Sequence, residues 1–272
     1  MNNQSIQEII HLELKEYFTH DELRAFLFWI LPHFQSNPQY SIDELHRIID
    51  ELKSGKPIQY IFQIAFFGQL ELKVTPDTLI PRPETEFVAQ LAIDALRASL
   101  SNDSAPIAVD LGTGSGAIAL AMATEVLPAQ IFAVEKSHEA MPFTAANFET
   151  YAHTGAKLIQ GDLADAFSDL DGKVAVVASN PPYIPLEMIP RDPEVRLFDP
   201  ELALYGGQDG MSVMHLVSAT AKRLLIDGGE LVVEHADSQS DQVCQLLLAD
   251  GWRDVRAHQD LTGRDRAVTA KK

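Results

Sequence analysis

The chain has 272 residues, of which 46% are hydrophobic, and its formal net charge is −18. This length and composition are typical of a globular protein with one large domain and a smaller one. With 21 lysine and arginine residues against 39 acidic residues, tight binding to free nucleic acid is disfavoured, because such binding neutralises phosphates with cations. A local basic patch would survive this average, so a nucleic-acid substrate stays open.

No segment of the sequence predicts export or a membrane anchor. The start of the chain lacks a basic region followed by an apolar core, and no run approaches the roughly 20 apolar residues of a membrane-spanning helix. Cys244 is the only cysteine, which excludes an intramolecular disulfide and a thiolate metal cluster. We therefore expect a cytoplasmic protein that does not associate with membranes.

Residues 1–60 are predicted to form a helical domain. Apolar residues recur there at helical spacing in three stretches, and Ser41 with Glu44 is typical of a capping box at the start of the third. Pro32 is expected to end the second helix, because proline has no backbone N–H group and clashes with the preceding turn. This segment shows no catalytic motif, and its aromatic residues are interpreted as core or as a surface for a partner.

Residues 61–83 are predicted to be a linker with a β-hairpin, since side chains alternate between apolar and polar near its centre. Residues 84–272 form the second predicted domain, where short β-branched runs alternate with helical patterns. This alternation is typical of a largely parallel, doubly wound α/β sheet. Strands are expected at 107–111, 130–134, 156–160, 174–178, 230–234, 254–257 and 266–269, and helices at 84–100, 117–125, 138–151, 211–225 and 238–248.

A glycine-rich turn follows the first of these strands. Glycines let the backbone turn tightly and approach a ligand closely, and dinucleotide enzymes use a related turn. Here the last glycine of the dinucleotide motif is missing, and the acid Asp110 precedes the first glycine. An acid suits a cationic sulfonium ligand and suits a pyrophosphate poorly, so the turn favours S-adenosylmethionine. The residues of the turn expected to bind this cofactor are Asp110, Gly112, Thr113, Gly114, Ser115 and Gly116.

Two further acids follow the next two strands. Glu135 stands where a carboxylate can accept hydrogen bonds from both ribose hydroxyls, although a solvated acid in a turn is the alternative. Asp162 stands where a carboxylate can meet the adenine amino group. Because ligands of such sheets bind at the carboxyl ends of the strands, the agreement of three positions favours a nucleotide site more than any single residue does.

The tetrapeptide Asn180-Pro181-Pro182-Tyr183 follows the fourth strand. Two prolines remove two backbone N–H donors, so the loop offers the Asn180 side-chain oxygen and the Pro181 carbonyl as acceptors for an –NH₂ group. Tyr183 adds a flat face for a planar group. An amide nitrogen is a poor nucleophile, and two acceptors that hold its hydrogens orient its lone pair and stabilise the charge that develops on it. The loop therefore predicts methylation of a planar nitrogen, with no metal required.

The Asn-Pro-Pro-Tyr loop is similar to that of nitrogen methyltransferases acting on adenine, cytosine or glutamine. The wider pattern resembles the HemK-type protein-glutamine methyltransferases, which modify the glutamine of the Gly-Gly-Gln loop in peptide chain release factors. The resemblance spans about residues 55–268. The segments that carry it are residues 55–61, 78–86, 198–210 and 263–266, the glycine turn, and the loop from Asn180 to Pro185.

The resemblance implies a Rossmann-like class I methyltransferase sheet, seven-stranded and mostly parallel, with a small N-terminal α-helical domain that docks the release factor. It implies S-adenosyl-L-methionine as cofactor, N5 of glutamine as the methylated atom, and release factors as partners. Asn180, Pro181 and Tyr183 would be catalytic, and with Pro182 they would bind the substrate, while Asn180 would also meet the cofactor. Leu163, where the family often has an aromatic residue, would pack on the adenine, and Asp199 stands where a glutamate is common.

Two other functions stay open at this point. An adenine-N6 methyltransferase acting on RNA or DNA would use the same loop, although the net charge of −18 speaks against it. A cofactor-binding interaction module without catalysis is the alternative from another class. The roles of Arg82 and Glu84 are not assigned, and Gly206-Gly207-Gln208 is interpreted as a turn, not as a site of self-methylation.

Overall fold

The computed structural model of the chain describes residues 2–37, 39–190 and 192–272. The chain divides into two compact units. One comprises residues 2–64 and 192–198, and the other comprises residues 65–190 and 199–272. In the part of the chain that the structure describes, no helix combines the length and the apolar character needed to cross a membrane.

The first unit is helical. Its helices are α1 (Asn3–Leu14), α2 (His20–Ser36), α3 (Ile42–Lys53), α4 (Ile58–Phe62) and, later in the chain, α8 (Pro193–Phe198). The apolar side chains at helical spacing, such as Ile10, Ile30 and Ile48, point inward and form one buried cluster. Removing this surface from water is what holds such short helices together, since isolated helices of this length are only marginally stable.

The helix ends differ from expectation at two places. Pro32 lies inside α2, which continues to Ser36 because Ile30 and Phe34, on either side of the proline, are both buried in the core of the unit. The capping box lies at Thr19 and Glu22, at the start of α2. The predicted box at Ser41 is wrong, because Ser41 caps through the N–H of Asp43 and Glu44 bonds to Arg47 instead of returning to the cap.

Replacing Pro32 with alanine is expected to stabilise α2. Proline inside a helix costs about 3 kcal/mol relative to alanine, and the Pro32 side chain is exposed, so no core packing is lost with it. Amide hydrogen exchange in the full-length chain measures the effect, and exchange in α2 should slow by at least about tenfold. Unchanged or faster exchange in α2 would contradict this account of Pro32.

The second unit holds the sheets. A hairpin of β1 (Ile64–Phe67) and β2 (Leu70–Lys73) begins it. The remaining strands are β3 (Ile107–Leu111), β4 (Gln130–Glu135), β5 (Lys157–Gln160), β6 (Val174–Ser179), β7 (Leu225–Glu234), β8 (Arg253–Gln259) and β9 (Asp265–Lys271). The helices are α5 (Pro83–Ser99), α6 (Ala117–Glu125), α7 (Met141–Thr150), α9 (Glu201–Leu204), α10 (Ser212–Leu224) and α11 (Ser240–Ala249).

Seven strands form one sheet in the order β5-β4-β3-β6-β7-β9-β8. The strands from β5 to β7 pair in parallel, and only β9 runs against its neighbours. This confirms the predicted seven-stranded, mostly parallel sheet, although several bounds differ. Strand β7 begins at Leu225 and not at residue 230, because Leu225 already pairs with Val174 before a register shift.

The central strands are buried on both faces, as their nearly continuous apolar sequences predict. Alternate residues of each strand contribute to two separate clusters. On one face, Ala108 and Val176 pack with residues of α5 and α6, such as Val88 and Leu120. On the other face, residues such as Val109, Val177 and Leu231 pack with residues of α10 and α11, such as Val217 and Leu247. The sheet is thus the middle layer of three, and it holds the loops at its strand ends in fixed positions.

Candidate active site

Successive strands are added first on one side of β3 and then on the other, which places a crevice at the carboxyl ends of the strands. The chain passes from β3 outward through β4 to β5, and then returns to β6 on the other side of β3. Ligands of open α/β sheets bind at such a switch point. The loops after β3 and β6 face a cavity there. The predicted site residues that line the cavity are Asp110, Gly112, Thr113, Gly114, Ser115, Glu135, Asp162, Leu163, Asn180 and Pro182.

Three predicted site residues are not on the cavity wall as the structure describes it. Gly116 caps α6 with a φ of 91°, and a Cβ there would lie 2.8 Å from the Phe148 ring. Gly116 therefore helps to shape the turn, and its contact with the cofactor stays a prediction. Pro181 is buried beneath its loop and Tyr183 is half-buried. The catalytic and substrate-binding roles of these two residues stay predictions.

Asp110 is buried at the end of β3, and its two carboxylate oxygens differ. Oδ2 accepts hydrogen bonds from the Thr113 hydroxyl at 2.5 Å and from the Ala119 N–H at 3.1 Å. Oδ1 is buried and has no hydrogen-bond partner among the described residues. Burial raises the pKa of the Asp110 carboxyl to about 7, while these two hydrogen bonds oppose the shift. A buried acceptor without a partner is costly, so a cationic or hydrogen-bonding ligand would stabilise this carboxylate.

The glycine turn is held in place by neighbouring elements. The Gly114 N–H donates to Glu135 at 2.8 Å, and the Thr144 hydroxyl of α7 donates to the Gly114 carbonyl at 2.7 Å. Asn147, also on α7, donates to the Ser115 carbonyl at 2.9 Å. It accepts from the Lys73 N–H at 2.7 Å as well, which ties the hairpin to the turn. The turn therefore keeps its shape before any ligand arrives, which lowers the entropic cost of binding.

The other two predicted acids reach the cavity from β4 and β5. Glu135 is buried and already accepts hydrogen bonds from the Gly114 and Ser137 N–H groups, one on each carboxylate oxygen. Each oxygen keeps a further lone pair for a hydroxyl donor. Asp162 accepts from the Ala164 N–H at 3.0 Å and pairs with Lys136 at 2.9 Å, and both contacts hold its pKa below the usual range.

These groups fit S-adenosylmethionine. The unpartnered buried oxygen of Asp110 suits its cationic centre, and the fixed carboxylate of Glu135 suits ribose hydroxyls. Leu163, half-buried beside Asp162 on the same wall, supplies apolar surface. The described residues include no cluster of three or more histidine, cysteine or acidic side chains that could hold a metal ion.

The loop after β6 is fixed at both ends. The Ser179 hydroxyl donates to the Leu111 carbonyl at 2.7 Å, which links the ends of β6 and β3. The side chain of Gln239 donates to the Tyr183 carbonyl at 2.9 Å, and its other end accepts from the Ala236 N–H at 3.1 Å. Gln239 is buried, and nothing in the sequence around it indicates this role.

The segment before α10 supports the same loop from outside. Ile184 forms a bridge with Tyr205, and the Gly206 N–H donates to the Ile184 carbonyl at 2.9 Å. A Cβ at Gly206 would lie 2.4 Å from the Pro182 carbonyl oxygen. The Gly206-Gly207-Gln208 sequence is therefore part of a turn packed against the loop, as expected, with Gln208 exposed at its surface.

Arg82 lines the cavity and pairs with Asp199. The partner of Arg82, whose role the sequence left unassigned, is thus Asp199, 117 residues further along the chain. Asp199 is buried, and the pair connects the start of α5 to the segment that supports the loop. We infer that this ion pair helps to shape the cavity. The two residues are far apart along the sequence, so the sequence alone does not indicate that they pair.

A further buried acid lies beside the loop after β6 and was not predicted. Glu234 ends β7, and its Oε2 atom has no hydrogen-bond partner among the described residues. Burial raises the pKa of the Glu234 carboxyl to about 7, and the neighbouring side chains of Thr85 and Asn180 oppose the shift. The same carboxyl helps to hold the pKa of the Tyr183 hydroxyl above its usual range, where burial is the main cause.

Comparison with known proteins gives consistent results. A family described as "Methyltransferase small domain" matches residues 89–187. The chain is 47% identical to a release factor glutamine methyltransferase of Streptomyces coelicolor, over 83% of this chain and 79% of that protein. It is 41% identical to a release factor glutamine methyltransferase of Bifidobacterium longum, over 82% of this chain and 78% of that protein.

Two further matches are a relative that is named for a different substrate and a solved methyltransferase structure. The chain is 37% identical to a 4-amino-L-phenylalanine/4-methylamino-L-phenylalanine methyltransferase of Streptomyces pristinaespiralis, over 79% of this chain and 73% of that protein. A methyltransferase structure from Pyrococcus furiosus superposes with a TM-score of 0.51 at 20% identity, over 79% of this chain and 93% of that one. The structural match supports a methyltransferase fold, and the sequence matches cover most of both chains. The chain belongs to the family of release factor glutamine methyltransferases.

Proposed function

We propose that this enzyme transfers a methyl group from S-adenosyl-L-methionine to N5 of the glutamine in the Gly-Gly-Gln loop of peptide chain release factors. One observation carries the proposal. A single cavity is lined by the acids and glycines of the turn after β3 and by Asn180 and Pro182 of the loop after β6. A methyl donor and an –NH₂ acceptor would therefore meet in one place, which is the requirement for direct transfer.

The chain's own residues supply position and electrostatic stabilisation. S-adenosylmethionine supplies a methyl group activated by its sulfonium charge. The Asn180 side-chain oxygen and the Pro181 carbonyl accept the two hydrogens of the glutamine amide, so that its lone pair faces the methyl carbon. The amide nitrogen would take the methyl group from the bound cofactor, with the N–C bond forming as the S–C bond breaks, and would then lose one proton to water. Acceptors fixed in advance stabilise the positive charge that develops on the nitrogen, which is the larger part of such catalysis.

A small aromatic amine is the second candidate substrate, because a relative that is 37% identical acts on 4-amino-L-phenylalanine. Its –NH₂ group would use the same two acceptors. An adenine amino group in RNA or DNA would also fit them, but the charge of −18 disfavours a polyanion. A non-catalytic cofactor-binding module is disfavoured by Asn180 lying on the cavity wall with the glycine turn.

One experiment separates these candidates. The enzyme is incubated with methyl-labelled S-adenosylmethionine and, in one competition, a release factor, total RNA and 4-amino-L-phenylalanine. We expect the label on the release factor. Label on RNA or on the amino acid would replace the proposed substrate, and no label on any of the three, with the cofactor bound, would favour the binding module.

Replacing Asp110 with asparagine is expected to weaken cofactor binding about tenfold near pH 8, because the charge that faces the sulfonium ligand is lost. In the native protein the Asp110 pKa is raised to about 7, so cofactor affinity should rise with pH until the carboxyl is ionised. The variant should show no such rise. Calorimetry between pH 6 and 8 measures both effects, with Asp94→Asn on the exposed surface of α5 as the control. An unchanged pH dependence in Asp110→Asn would contradict the assignment.

We also propose residues 1–60 as the part that docks the release factor, residues 61–83 as the linker and residues 84–272 as the catalytic domain. Residues 2–64 carry nine acidic and five basic side chains, which suits a basic, RNA-binding partner. Their helices expose Leu12 (68%) and Phe28 (67%), and exposed large apolar residues commonly anchor a partner. A reducing cytoplasm agrees with this substrate and with the single cysteine.

The double variant Leu12→Ser with Phe28→Ser is expected to raise the KM for the release factor about tenfold. The KM for S-adenosylmethionine should not change, because neither residue lines the cavity. Steady-state kinetics with each substrate varied in turn measures the effect. The control replaces the exposed polar residues Gln7 and Gln35 with serine. An equal KM for the release factor in both double variants would remove this surface from the docking proposal.

A further inference from the structure

Asn180 and Glu234 lie side by side at the carboxyl ends of two paired strands. Strands β6 and β7 run in parallel, with Ser179 opposite Val233. The next residues after these, Asn180 and Glu234, are therefore also neighbours. Helix α5 packs on both strands, and Thr85 in its first turn is buried against them. Three polar side chains from three elements thus meet at the edge of the cavity, where Asn180 and Thr85 line the wall and Glu234 does not.

The amide of Asn180 has two possible orientations, because its oxygen and nitrogen are nearly equal in size. Only one of them suits the proposed reaction, in which the side-chain oxygen must accept a hydrogen from the substrate. In the structure Nδ2 donates to the Thr85 hydroxyl at 3.3 Å. The Asn180 side chain also hydrogen-bonds to the carboxyl of Glu234. The Oε2 atom of Glu234 has no hydrogen-bond partner among the described residues. An ionised carboxylate has no hydrogen to give, so it attracts the –NH₂ end of the amide and repels the oxygen.

We propose that Glu234 and Thr85 act as positioning residues that fix the orientation of the Asn180 amide, so that its oxygen faces the substrate nitrogen. This inference rests on the proposed function for the identity of the substrate. The orientation itself is a property of the protein alone. Neither residue touches the reacting atoms in this arrangement, and both act through Asn180.

The protonation state of Glu234 bears on this role. A protonated carboxyl has both an O–H donor and an acceptor oxygen, so it can hydrogen-bond to either end of the Asn180 amide. Protonation would therefore weaken the preference for one amide orientation. The charged groups that face Glu234 are Arg266 of β9, which favours its ionised form, and Glu84 of α5, which opposes it. Burial is the largest effect and raises the pKa of Glu234 to about 7, although Thr85, Arg266 and Asn180 oppose the shift. At saturating cofactor, kcat should therefore rise with pH through this range.

Three variants test the proposal. Glu234→Gln removes the charge and keeps the volume, and its amide can meet either end of Asn180. Thr85→Val removes the hydroxyl acceptor at constant shape, and Thr85→Ser restores it. Glu230→Gln is the matched control, because Glu230 lies four residues before Glu234 on the same strand, does not line the cavity, and has a pKa that is also raised by burial.

The direct measurement is hydrogen exchange of the Asn180 side-chain amide, followed by ¹⁵N NMR at pH 8 in the free enzyme and assigned by its loss in Asn180→Asp. Compared with the native protein, exchange should be about tenfold faster in Glu234→Gln and Thr85→Val, because a hydrogen bond that protects the amide is lost. Exchange in Thr85→Ser and Glu230→Gln should not change. Equal exchange in all variants would overturn the proposal, and this readout needs no substrate.

Kinetics gives the second measurement. With the release factor as substrate, Glu234→Gln should lower kcat about tenfold, leave the KM for S-adenosylmethionine unchanged and lose the rise of kcat with pH. If the native enzyme methylates a different nitrogen, the same comparison holds with that substrate. The proposed function fails if the native enzyme does not methylate the release factor, whatever the variant does. A native kcat and a native pH profile in Glu234→Gln would overturn the positioning role.

Discussion

The Asn180→Ala variant is expected to lower kcat about 10³-fold, which is the upper range for the loss of one fixed electrostatic contact in a transition state. Alanine removes the side-chain oxygen that accepts a substrate hydrogen, and water cannot hold the amide in the same orientation. The affinity for S-adenosylmethionine should stay within about twofold, since the acids and the glycine turn that line its side of the cavity are unaffected. Single-turnover kinetics and calorimetry measure the two quantities separately.

The control for this variant is Asn102→Ala in the exposed loop after α5, which should keep native activity. An Asn180→Ala enzyme with native kcat would show that the Asn180 side chain does not hold the reacting nitrogen. A variant that loses cofactor affinity and kcat together would place Asn180 mainly in the cofactor site, and the acceptor role would then be rejected.

The Gly210→Ala variant is expected to lower the free energy of unfolding by about 3 kcal/mol or more and to reduce activity strongly. Gly210 has a φ of 77°, and a Cβ there would lie 2.2 Å from the Tyr183 carbonyl oxygen. The left-handed conformation costs about 1–2 kcal/mol for alanine, and overpacking adds about 1–3 kcal/mol. The Tyr183 carbonyl belongs to the backbone of the loop after β6. Relief of this clash must therefore move Tyr183 and its neighbours.

Gly228 is the matched control for Gly210. Its φ is 80°, and a Cβ there would meet no atom within 4 Å. Gly228→Ala should therefore show the conformational cost alone, about 1–2 kcal/mol in urea unfolding, with native kcat. If both variants lost the same stability and neither lost activity, the proposed support of the catalytic loop by this segment would be wrong.

The sheet was accessible to sequence analysis where burial leaves a strong pattern. Strands β3, β4 and β6 are apolar over nearly their whole length because both faces are covered, and their predicted bounds agree with the structure to within one residue. Strand β8 lies at the sheet edge and is mostly exposed, so its polar residues gave a shorter prediction. Pro32 was misjudged for a related reason. Packing of its neighbours outweighs the local preference of proline.

The candidate site likewise contains residues that a local sequence pattern predicts and residues that only the packing brings together. Asp110 and Glu135 lie at the carboxyl ends of apolar strands and Asn180 follows one directly. A parallel sheet brings these strand ends to one edge, so position in the sequence was sufficient. Thr85, Glu234 and Gln239 reach the loop from other elements. Thr85 lies 95 residues from Asn180 along the chain, and no local pattern distinguishes it. Arg82 was recognised as part of a family segment, but its partner Asp199 follows only from the packing.

The central claim is that the glutamine of the Gly-Gly-Gln loop receives the methyl group. The most direct test is mass spectrometry of a release factor after incubation with this enzyme and S-adenosylmethionine, with fragmentation of the peptide that contains the loop. We predict the mass increase of one methyl substitution on the side chain of that glutamine, absent with the Asn180→Ala enzyme. Methylation of another residue, or an unmodified release factor beside an active enzyme that methylates RNA or an aromatic amine, would contradict the proposed function.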